Sequence, residues 1–358
     1  MFEKFSKQYI LSNLFIFTVL ACFLVSICFW HTNNITIIRA VIDIGSGATK
    51  LTIAKVDLGN RKIVETIYKD SWKLDYQEDL SRNKGSNFSN EMISKGFKKF
   101  QEIKEICNLY KVKKIVGVAT ASFRKAHNAK EYIDSIKSKH DIKIHIIDHK
   151  TEGMLAYLAA INTILDNTNH LEYSKNDYLI WDIGAGSLQM LTSTLDSSVS
   201  FHLTDKIASI PFKNHIIENI QHKSLNNFAS PNPMTRQDIN KSLKYAANFT
   251  KEIHNDILFK LNKNLNNKPL MVIGVGDLFN KGIVKLLNNS EITQNALKKI
   301  INSHENLSDH EFQDKKYANV SLSNVILVLS FMQELDIQVV KATHVNTADG
   351  LFFLNELW

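Results

Sequence analysis

Cysteine and proline are scarce in this chain, with 3 and 4 residues among 358. Cys22 and Cys28 lie in an apolar N-terminal run and leave Cys107 alone in the remainder, which excludes a disulfide framework or a cysteine-based metal site there. So few prolines argue against long proline-rich linkers. The sequence also lacks an arginine-rich stripe with interleaved aromatic residues, so nucleic acid is not expected as a partner.

The overall composition is that of a folded chain with room for two domains. Apolar residues make up 44% of the chain and charged residues 22%, which argues against a disordered polyelectrolyte. A chain of 358 residues can form two domains with cores of their own. The formal net charge of +7 favours a polyanionic partner.

An uncharged apolar run spans residues 10–30, close to the roughly 20 residues that a helix needs to cross the hydrocarbon core. Lys4 and Lys7 precede it, and the next lysine or arginine is Arg39. This asymmetry predicts a single-pass anchor in the inner (cytoplasmic) membrane, with the main domain on the periplasmic side. A cleaved signal peptide and a lipoprotein signal at Cys22 are alternatives. Both fit less well, because the run stays apolar where a cleavage region should turn polar.

Two short stretches repeat one pattern about 140 residues apart. AVIDIGSGATKLTIA, at 40–54, and YLIWDIGAGSLQMLTSTL, at 178–195, each predict a strand, a tight Gly/Ser turn and a second strand. Strands alternate with helical patterns after each of them, which is typical of α/β domains. Two such hairpins facing each other would direct backbone N–H groups at one phosphate. The Asp of each hairpin would lie where it can hold a divalent cation.

Further elements follow from the spacing of apolar residues. Ser89 is the expected N-cap of a helix over 90–110. Residues 151–165 and 320–336 also have helical patterns, and the second of these is apolar enough to be buried. The polar segment 74–89, LDYQEDLSRNKGSNFS, is predicted to be a surface loop.

Five blocks of the sequence, taken in order, carry a resemblance to a known family. They are AVIDIGSGATKL, VGVATASFRKAHNAKEYI, IHIIDHKTEGMLAYLAA, LIWDIGAGSLQM, and the pair IGVGD and NTADGLFF. The ordered set resembles the exopolyphosphatase and guanosine pentaphosphate phosphatase (Ppx/GppA) family, in its short two-domain form and with divergent motifs.

The resemblance implies the actin, Hsp70 and sugar-kinase superfold. In this fold two RNase H-like α/β domains face each other across a cleft, here preceded by the predicted transmembrane helix. The expected parts are a cytoplasmic tip and anchor at 1–34, an N-terminal actin-like domain at 35–149, a C-terminal actin-like domain at 150–345, and a terminal helix at 346–358 that packs back on the first domain. The resemblance also suggests a homodimer.

The reaction implied by the resemblance is Mg²⁺-assisted release of phosphate from polyphosphate or a guanosine polyphosphate. Glu152 corresponds to the general base that activates water, and Arg124 to a contact with the scissile phosphate. Asp43 and Asp182 would hold Mg²⁺. The phosphate-binding positions are Gly45, Ser46, Gly184, Gly186, Ser187 and Gln189. Without the resemblance, Glu152 also fits a carboxylate at a helix N-terminus, and both aspartates fit turn residues.

The motifs depart from the family pattern at several positions. Gln189 stands where the family has a Glu near metal and water, and Gly47 and Ala48 replace an Asn and a Ser. Asp277 stands where a small or hydroxyl residue is expected, and its charge is predicted to repel polyphosphate. The remaining departures are Ala185 in place of a glycine and Ala348-Asp349-Gly350 in place of Arg-Glu-Gly.

These departures leave a second hypothesis open, a catalytically degenerate protein that binds or senses polyphosphate or a nucleotide. A kinase or an actin-like scaffold is disfavoured, because an ATP-binding signature is missing around IGVGD and the Glu152 block is present. Turnover, as opposed to binding alone, separates the first two hypotheses.

Overall fold

The protein is described from a computed structural model. The described residues are 36–59, 62–83, 86–167, 177–193, 199–262, 270–343 and 345–358. The anchor predicted at 10–30 lies outside them. Within these ranges, no helix is both long and apolar enough to span a bilayer.

The first half of the described chain is built on a five-stranded mixed sheet in the order β3-β2-β1-β4-β5. Its strands are β1 (Thr36–Ile44), β2 (Ala48–Asp57), β3 (Lys62–Lys73), β4 (Lys114–Ala119) and β5 (Lys143–Ile146). The first three form an antiparallel meander, whereas β4 and β5 continue the sheet in parallel with β1.

The second half of the described chain repeats this plan in a six-stranded sheet, in the order β10-β11-β9-β6-β7-β8. Its strands are β6 (Tyr178–Ile183), β7 (Leu188–Ser193), β8 (Val199–Thr204), β9 (Met271–Val275), β10 (Glu291–Thr293) and β11 (Val339–Ala342). Again an antiparallel meander, β6 to β8, is followed by strands parallel to its first member, β9 and β11. The prediction of an α/β fold with a duplicated strand–turn–strand unit is therefore confirmed.

The helices lie between and after these strands. They are α1 (Tyr76–Arg82), α2 (Asn90–Leu109), α3 (Ala121–Lys125), α4 (Ala129–His140), α5 (His149–Asn167), α6 (Ser209–His215), α7 (Arg236–Ala247), α8 (Asn255–Asn262), α9 (Val284–Leu287), α10 (Gln294–His304) and α11 (Ala318–Glu334). Short π-helices cover Ile216–Ile220 and Leu278–Ile283, and 3-10 helices cover Asn248–Glu252, Asp309–Glu311, Thr347–Phe353 and Asn355–Leu357. Helix α11 is buried along most of its length, as its apolar pattern predicts.

The loop predicted at 74–89 is partly wrong. Residues Tyr76–Arg82 form α1, because Tyr76 and Leu80 are buried in the core of the first half. The ring of Tyr76 packs 4.8 Å from that of Phe123 between centroids. The N-cap predicted at Ser89 is confirmed, since its side chain accepts a hydrogen bond from the backbone N–H of Met92. Helix α1 lies beside the first hairpin turn.

The C-terminal residues form two 3-10 helices rather than one longer helix, and the first of them packs on α5 and β1. Gly350 lies so close to α5 that a Cβ atom there would overlap the backbone oxygen of Leu155. The buried carboxylate of Asp349 accepts hydrogen bonds from Thr52 on β2 and Lys69 on β3. This segment therefore ties α5 to the first sheet, while the domain boundaries given above stay predictions.

Candidate active site

The two predicted hairpin turns have the same local geometry. In the first, the N–H of Gly45 donates to the carbonyl of Ala48 at 2.9 Å, and in the second the N–H of Gly184 donates to the carbonyl of Ser187 at 2.9 Å. Both turns line one cleft between the two sheets, with a volume of about 430 Å³. That volume lies in the range of small-molecule sites, so the cleft has room for more than a single phosphate.

The two turns touch each other at the floor of the cleft. A Cβ atom on Gly186 would lie 2.5 Å from Ser46 Oγ and 3.1 Å from the Cβ of Ala121, and one on Gly47 would lie 3.0 Å from the Cβ of Ala185. Glycine is thus required at 186 by close approach. The small residues at 47 and 185, which depart from the family pattern, are matched to each other.

For the hydrolase that the sequence resemblance implies, Gly186→Ala is expected to lower kcat/KM for phosphate release by tenfold or more, because the added methyl group separates the two turns and displaces the groups expected around the phosphate. The free energy of unfolding should fall by about 1–3 kcal/mol. Phosphate release and urea unfolding measure the two effects. Gly282→Ala is the matched control for the unfolding measurement, since its new Cβ would meet only the Asp277 carbonyl at 3.8 Å. Equal kcat/KM in wild type and Gly186→Ala would contradict the close approach.

Helix α1 and the residues after β4 support the first turn. The N–H of Gln77 donates to the carbonyl of Ser46 at 2.8 Å, and the N–H of Ser122 donates to Ser46 Oγ at 3.2 Å. Ser122 Oγ in turn donates to Gln77 Oε1 at 3.0 Å. The sequence pattern did not indicate that Gln77 and Ser122 belong to the site, because each of them contacts Ser46 from a distant part of the chain.

Asp43 and Asp182 lie at the same position of their hairpins and face the same cleft. Each is 6% exposed. Burial raises the pKa of Asp43 to about 6, with Lys50 opposing the rise and Glu152 adding to it. Burial and the Glu152 carboxylate raise the pKa of Asp182 to about 7, although Thr347 donates a hydrogen bond to it at 3.1 Å. Two buried carboxylates of this kind favour a bound cation.

These pKa values make the stability of the metal-free protein depend on pH. A carboxyl group whose pKa is higher in the folded than in the unfolded protein stabilises the fold below its unfolded pKa and loses that contribution as pH rises through the folded pKa. For Asp182 the loss runs from about pH 4 to pH 7 and amounts to roughly 2–4 kcal/mol. In EDTA, the urea-unfolding free energy of wild type should therefore drop more between pH 4.5 and 8 than that of Asp182→Asn. Parallel pH profiles would contradict the raised pKa.

Glu152 lies in the first turn of α5 and lines the cleft, where it is 6% exposed. Its Oε1 accepts a hydrogen bond from Ser187 Oγ at 3.0 Å, and its Oε2 accepts one from Arg124 Nη1 at 2.8 Å. The carboxylate is therefore held in one orientation by a group from each half of the protein. A carboxylate oxygen accepts more than one hydrogen bond. Both oxygens of Glu152 can therefore accept a further hydrogen bond from a donor in the cleft.

Arg124 and Gln189 lie behind these groups and do not line the cleft. Arg124 Nη1 also donates to the Ile147 carbonyl at 2.9 Å, and its Nε and Nη2 have no hydrogen-bond partner among the described residues. Gln189 Nε2 donates to Ser187 Oγ at 2.8 Å, whereas Gln189 Oε1 is buried without a partner in the described part of the chain. A continuous path of hydrogen bonds thus runs from Gln189 through Ser187 to Glu152.

Asp277 does line the cleft, but it does not present a free negative charge. Its Oδ1 lies 3.3 Å from Lys50 Nζ, and its Oδ2 lies 3.3 Å from Lys281 Nζ. Burial acts to raise the pKa of Asp277, yet Lys50 and Lys281 hold it below its usual value. The predicted repulsion of polyphosphate therefore does not follow from this position, because two ammonium groups compensate the carboxylate.

Lys50 was also missed in the sequence. It lines the cleft from β2, directly opposite Asp43 in the antiparallel pairing of β1 and β2. Burial acts to lower its pKa, but Asp277, Asp43 and Asp182 hold the pKa above its usual value. The hairpin register was the available signal, since the pairing of residues 44 and 49 beside the turn places residue 50 opposite residue 43.

The outer part of the cleft is lined by both signs of charge. Its basic residues are Lys73, Arg82, Lys281, Lys285 and Lys316. Four of them form ion pairs with carboxylates of the described residues. Lys73 pairs with Asp75 and Lys285 with Asp314, both at 3.4 Å, Arg82 pairs with Glu78 at 3.8 Å, and Lys281 pairs with Asp277 at 3.3 Å. Such surface pairs contribute only about 0–1 kcal/mol each, so an incoming polyanion can compete for these lysines at small cost.

The chain is similar in sequence to a family of phosphatases. A profile of the Ppx/GppA phosphatase family matches residues 52–356. A bifunctional 3-dehydroquinate synthase/phosphatase of Fusobacterium nucleatum is 26% identical over 226 residues, which cover 62% of this chain and 32% of that protein. The chain thus spans about a third of the length of this curated relative.

Solved structures with the same fold come from related proteins of low sequence identity. A Ppx/GppA enzyme of Aquifex aeolicus superposes with a TM-score of 0.67 at 18% identity, over 89% of this chain and 99% of that chain. An exopolyphosphatase of Cytophaga hutchinsonii superposes with a TM-score of 0.66 at 14% identity, over 88% and 96%. An exopolyphosphatase-like protein reaches a TM-score of 0.70 at 16% identity, over 89% and 97%. These structures share the two-domain arrangement.

Proposed function

The chain belongs to the Ppx/GppA phosphatase family, and from this membership and the cleft geometry we propose that it hydrolyses the terminal phosphoanhydride bond of polyphosphate or guanosine pentaphosphate. The observation that carries the proposal is the orientation of Glu152. Its carboxylate faces the cleft, is held by Ser187 and Arg124, and shares the cleft with the two glycine-rich turns. A buried carboxylate beside a phosphate cradle is the arrangement that water activation requires.

In this mechanism the terminal phosphate binds between the two turns. Backbone N–H groups of the turns that include Ser46 and Gly186 would donate to its oxygens. Glu152 takes a proton from the attacking water as the new P–O bond forms and the bond to the leaving phosphate breaks. The Ser187 hydroxyl and Arg124 keep the carboxylate aimed at this water. Arg124 is thus proposed to act as a positioning residue, which holds Glu152 from behind the cleft.

Asp43 and Asp182 fit the Mg²⁺ that the family resemblance implies. No group of three or more His, Cys, Asp or Glu side chains capable of holding a metal is present among the described residues. Two carboxylates nevertheless suit this ion, because Mg²⁺ keeps several waters and is bound in phosphoryl-transfer sites by one or two carboxylates together with substrate phosphates. When bound, the ion would supply charge compensation for the reacting phosphates.

Phosphate release from two substrates tests the proposal and separates the candidates. The full chain is incubated with Mg²⁺ and either long-chain polyphosphate or guanosine pentaphosphate, and inorganic phosphate is measured. Release from polyphosphate with little from the nucleotide would identify an exopolyphosphatase, and the reverse would identify a guanosine pentaphosphatase. Binding without phosphate release from either of the two compounds, in assays of both, would overturn the hydrolase proposal.

The second candidate function is a sensor that binds polyphosphate or nucleotide without turnover, and the specific observation behind it is Gln189. This side chain is fully buried and lies directly opposite Asp182 in the pairing of β6 and β7. It carries no charge, so the second hairpin provides one carboxylate at this place where the family pattern has two. A weaker metal site follows.

Gln189→Glu separates the two candidates. In EDTA we expect the melting temperature to fall, because a second buried carboxylate beside Asp182 lacks a counter-charge. Excess Mg²⁺ should recover the loss, since a ligand that binds only the folded state stabilises it. A hydrolase should also release phosphate several-fold faster at low Mg²⁺. Thermal melts with and without Mg²⁺ and a phosphate-release assay measure both effects. Metal-insensitive melting would contradict a metal site at Asp182.

Attachment to the inner membrane and formation of a homodimer are separate parts of the proposal. The first is based on the apolar run at 10–30 and the two lysines before it, and the second on the family resemblance alone. Fractionation of cells that express the full chain tests the anchor, and protease access to intact spheroplasts tests the side of the membrane.

A further inference from the structure

The floor of the cleft contains a lysine, Lys50, beside the two carboxylates that are proposed to bind Mg²⁺. Lys50 Nζ lies 4.0 Å from Asp43 Oδ2 and 3.3 Å from Asp277 Oδ1. Its side chain is 12% exposed, and it lines the cleft together with Asp182. A positive charge of the chain itself therefore lies among three carboxylates, two of which are the proposed Mg²⁺ ligands.

The duplication of the fold shows that this charge is specific to one hairpin. Lys50 pairs with Asp43 across the first hairpin, and Gln189 pairs with Asp182 across the second. The two side chains thus occupy equivalent positions, one charged and one neutral.

Lys50 is held from across the cleft. Asp277 belongs to the second half of the protein, where it follows β9, and Lys281 binds its other oxygen at 3.3 Å. An ammonium group has three N–H donors, and the contacts of Lys50 with Asp277 and Asp43 leave it able to donate into the cleft as well. Asp277 therefore keeps Lys50 at the floor of the cleft without consuming all of its donors.

We propose that Lys50 is an internal counter-ion of the metal site, which neutralises Asp43 and Asp182 in the absence of a divalent cation and donates to a phosphate oxygen when cation and phosphate bind together. The proposal rests on the phosphate-cleft function given above. It assigns roles to two residues, a ligand contact to Lys50 and a positioning role to Asp277.

The physical consequence is coupled binding of metal and phosphate. A divalent cation that enters alone meets the repulsion of Lys50 at close range, in a site where charges are poorly screened. A phosphate that enters alone meets the carboxylates. When both enter, the cation is attracted by the aspartates and the ammonium group by the phosphate, so each ligand strengthens the binding of the other, as linkage requires.

The test measures binding rather than turnover. Mn²⁺ alone, imidodiphosphate alone, and Mn²⁺ in the presence of imidodiphosphate are titrated into the full chain by calorimetry, for wild type and for Lys50→Gln. We expect Lys50→Gln to bind Mn²⁺ alone at least tenfold more tightly and imidodiphosphate alone at least tenfold more weakly. The factor by which imidodiphosphate improves Mn²⁺ binding should fall at least tenfold. The complex that the two ligands form in solution is the same for both proteins and cancels in the comparison.

Two further variants make the result specific. Lys50→Arg keeps the charge and should retain most of the coupling, although its fork differs from an ammonium group. Lys125→Met is the matched control, because Lys125 also joins the two halves through an ion pair, with Asp205 at 3.1 Å, but does not line the cleft. Its binding of both ligands should equal that of wild type.

Unchanged or weaker Mn²⁺ binding by folded Lys50→Gln would overturn the counter-ion role, as would equal coupling in Lys50→Gln and wild type. If circular dichroism shows that Lys50→Gln does not fold, Lys50→Met replaces it under the same criteria. The outcome is independent of hydrolysis. If binding is coupled through Lys50 and the separate assays with polyphosphate and guanosine pentaphosphate show no phosphate release, this inference is supported and the hydrolase proposal is overturned.

Discussion

Glu152→Gln should lower the rate of phosphate release by about 10²–10⁴-fold, because the amide cannot take a proton from the attacking water. The change keeps the size of the side chain. Its amide oxygen can still accept a hydrogen bond from Arg124 or Ser187, so binding of the phosphate ligand should change much less than the rate. Phosphate release under single-turnover conditions, beside equilibrium binding of imidodiphosphate, measures the two quantities separately.

Asp148→Asn is the matched control for this prediction. Asp148 lies four residues before Glu152, and its exposed carboxylate accepts a hydrogen bond from the N–H of Thr151 at 2.7 Å. Asparagine also caps helix N-termini, so an acid-to-amide change at this place should leave phosphate release within about twofold of wild type. A Glu152→Gln protein that retains full activity would show that another group activates the water.

Gly350→Ala should lower the free energy of unfolding by about 2–3 kcal/mol, among the larger effects expected for a single methyl group. A Cβ atom at 350 would overlap the backbone oxygen of Leu155 and lie 2.8 Å from its carbonyl carbon and its Cα. These are main-chain atoms of α5, which cannot rotate away as a side chain does. Relief therefore requires the C-terminal 3-10 helix to move off α5.

Urea unfolding measures this loss, with Gly282→Ala again as the control. Since Leu155 is three residues beyond Glu152 on α5, Gly350→Ala should also reduce phosphate release more than its loss of stability explains at a temperature where the protein stays folded. A destabilisation below about 0.5 kcal/mol, the range of ordinary surface substitutions, would show that the segment is not packed on α5 as described.

The strand–turn–strand units and the helices Asn90–Leu109, His149–Asn167 and Ala318–Glu334 could be predicted from the sequence, because their patterns are local. The pattern of 40–54 and of 178–195 places each Asp at the end of a strand and before a glycine turn, and the structure has both hairpins. Segment 74–89 is the counterexample. Its polar composition predicts a loop, but part of it forms a short helix. That helix is stabilised by burial of Tyr76 and Leu80 in a core whose other residues are distant in the chain.

The candidate site also has a part that local sequence patterns predicted and a part that they did not. Eight of the predicted positions, the two aspartates, Glu152 and the residues of both turns, line one cleft. Arg124 and Gln189 lie one layer behind it, which no spacing along the chain could indicate. Lys50 is not among the predicted site residues, although the hairpin register places it opposite Asp43. The sequence predicts a repulsive charge at Asp277 because it does not reveal the two lysine partners.

By itself, the sequence determined that this is an α/β protein with two related hairpins, each carrying an aspartate before a phosphate-sized turn, and with a carboxylate at the start of a helix. The repeated motif and the periodicity of apolar side chains are sufficient for these conclusions, because both are patterns of residues close together in the sequence. Only the tertiary structure decided which charges meet. Lys50 and Asp277 are 227 residues apart and form an ion pair across the cleft that both halves line. That meeting depends on packing between the halves and not on any local pattern.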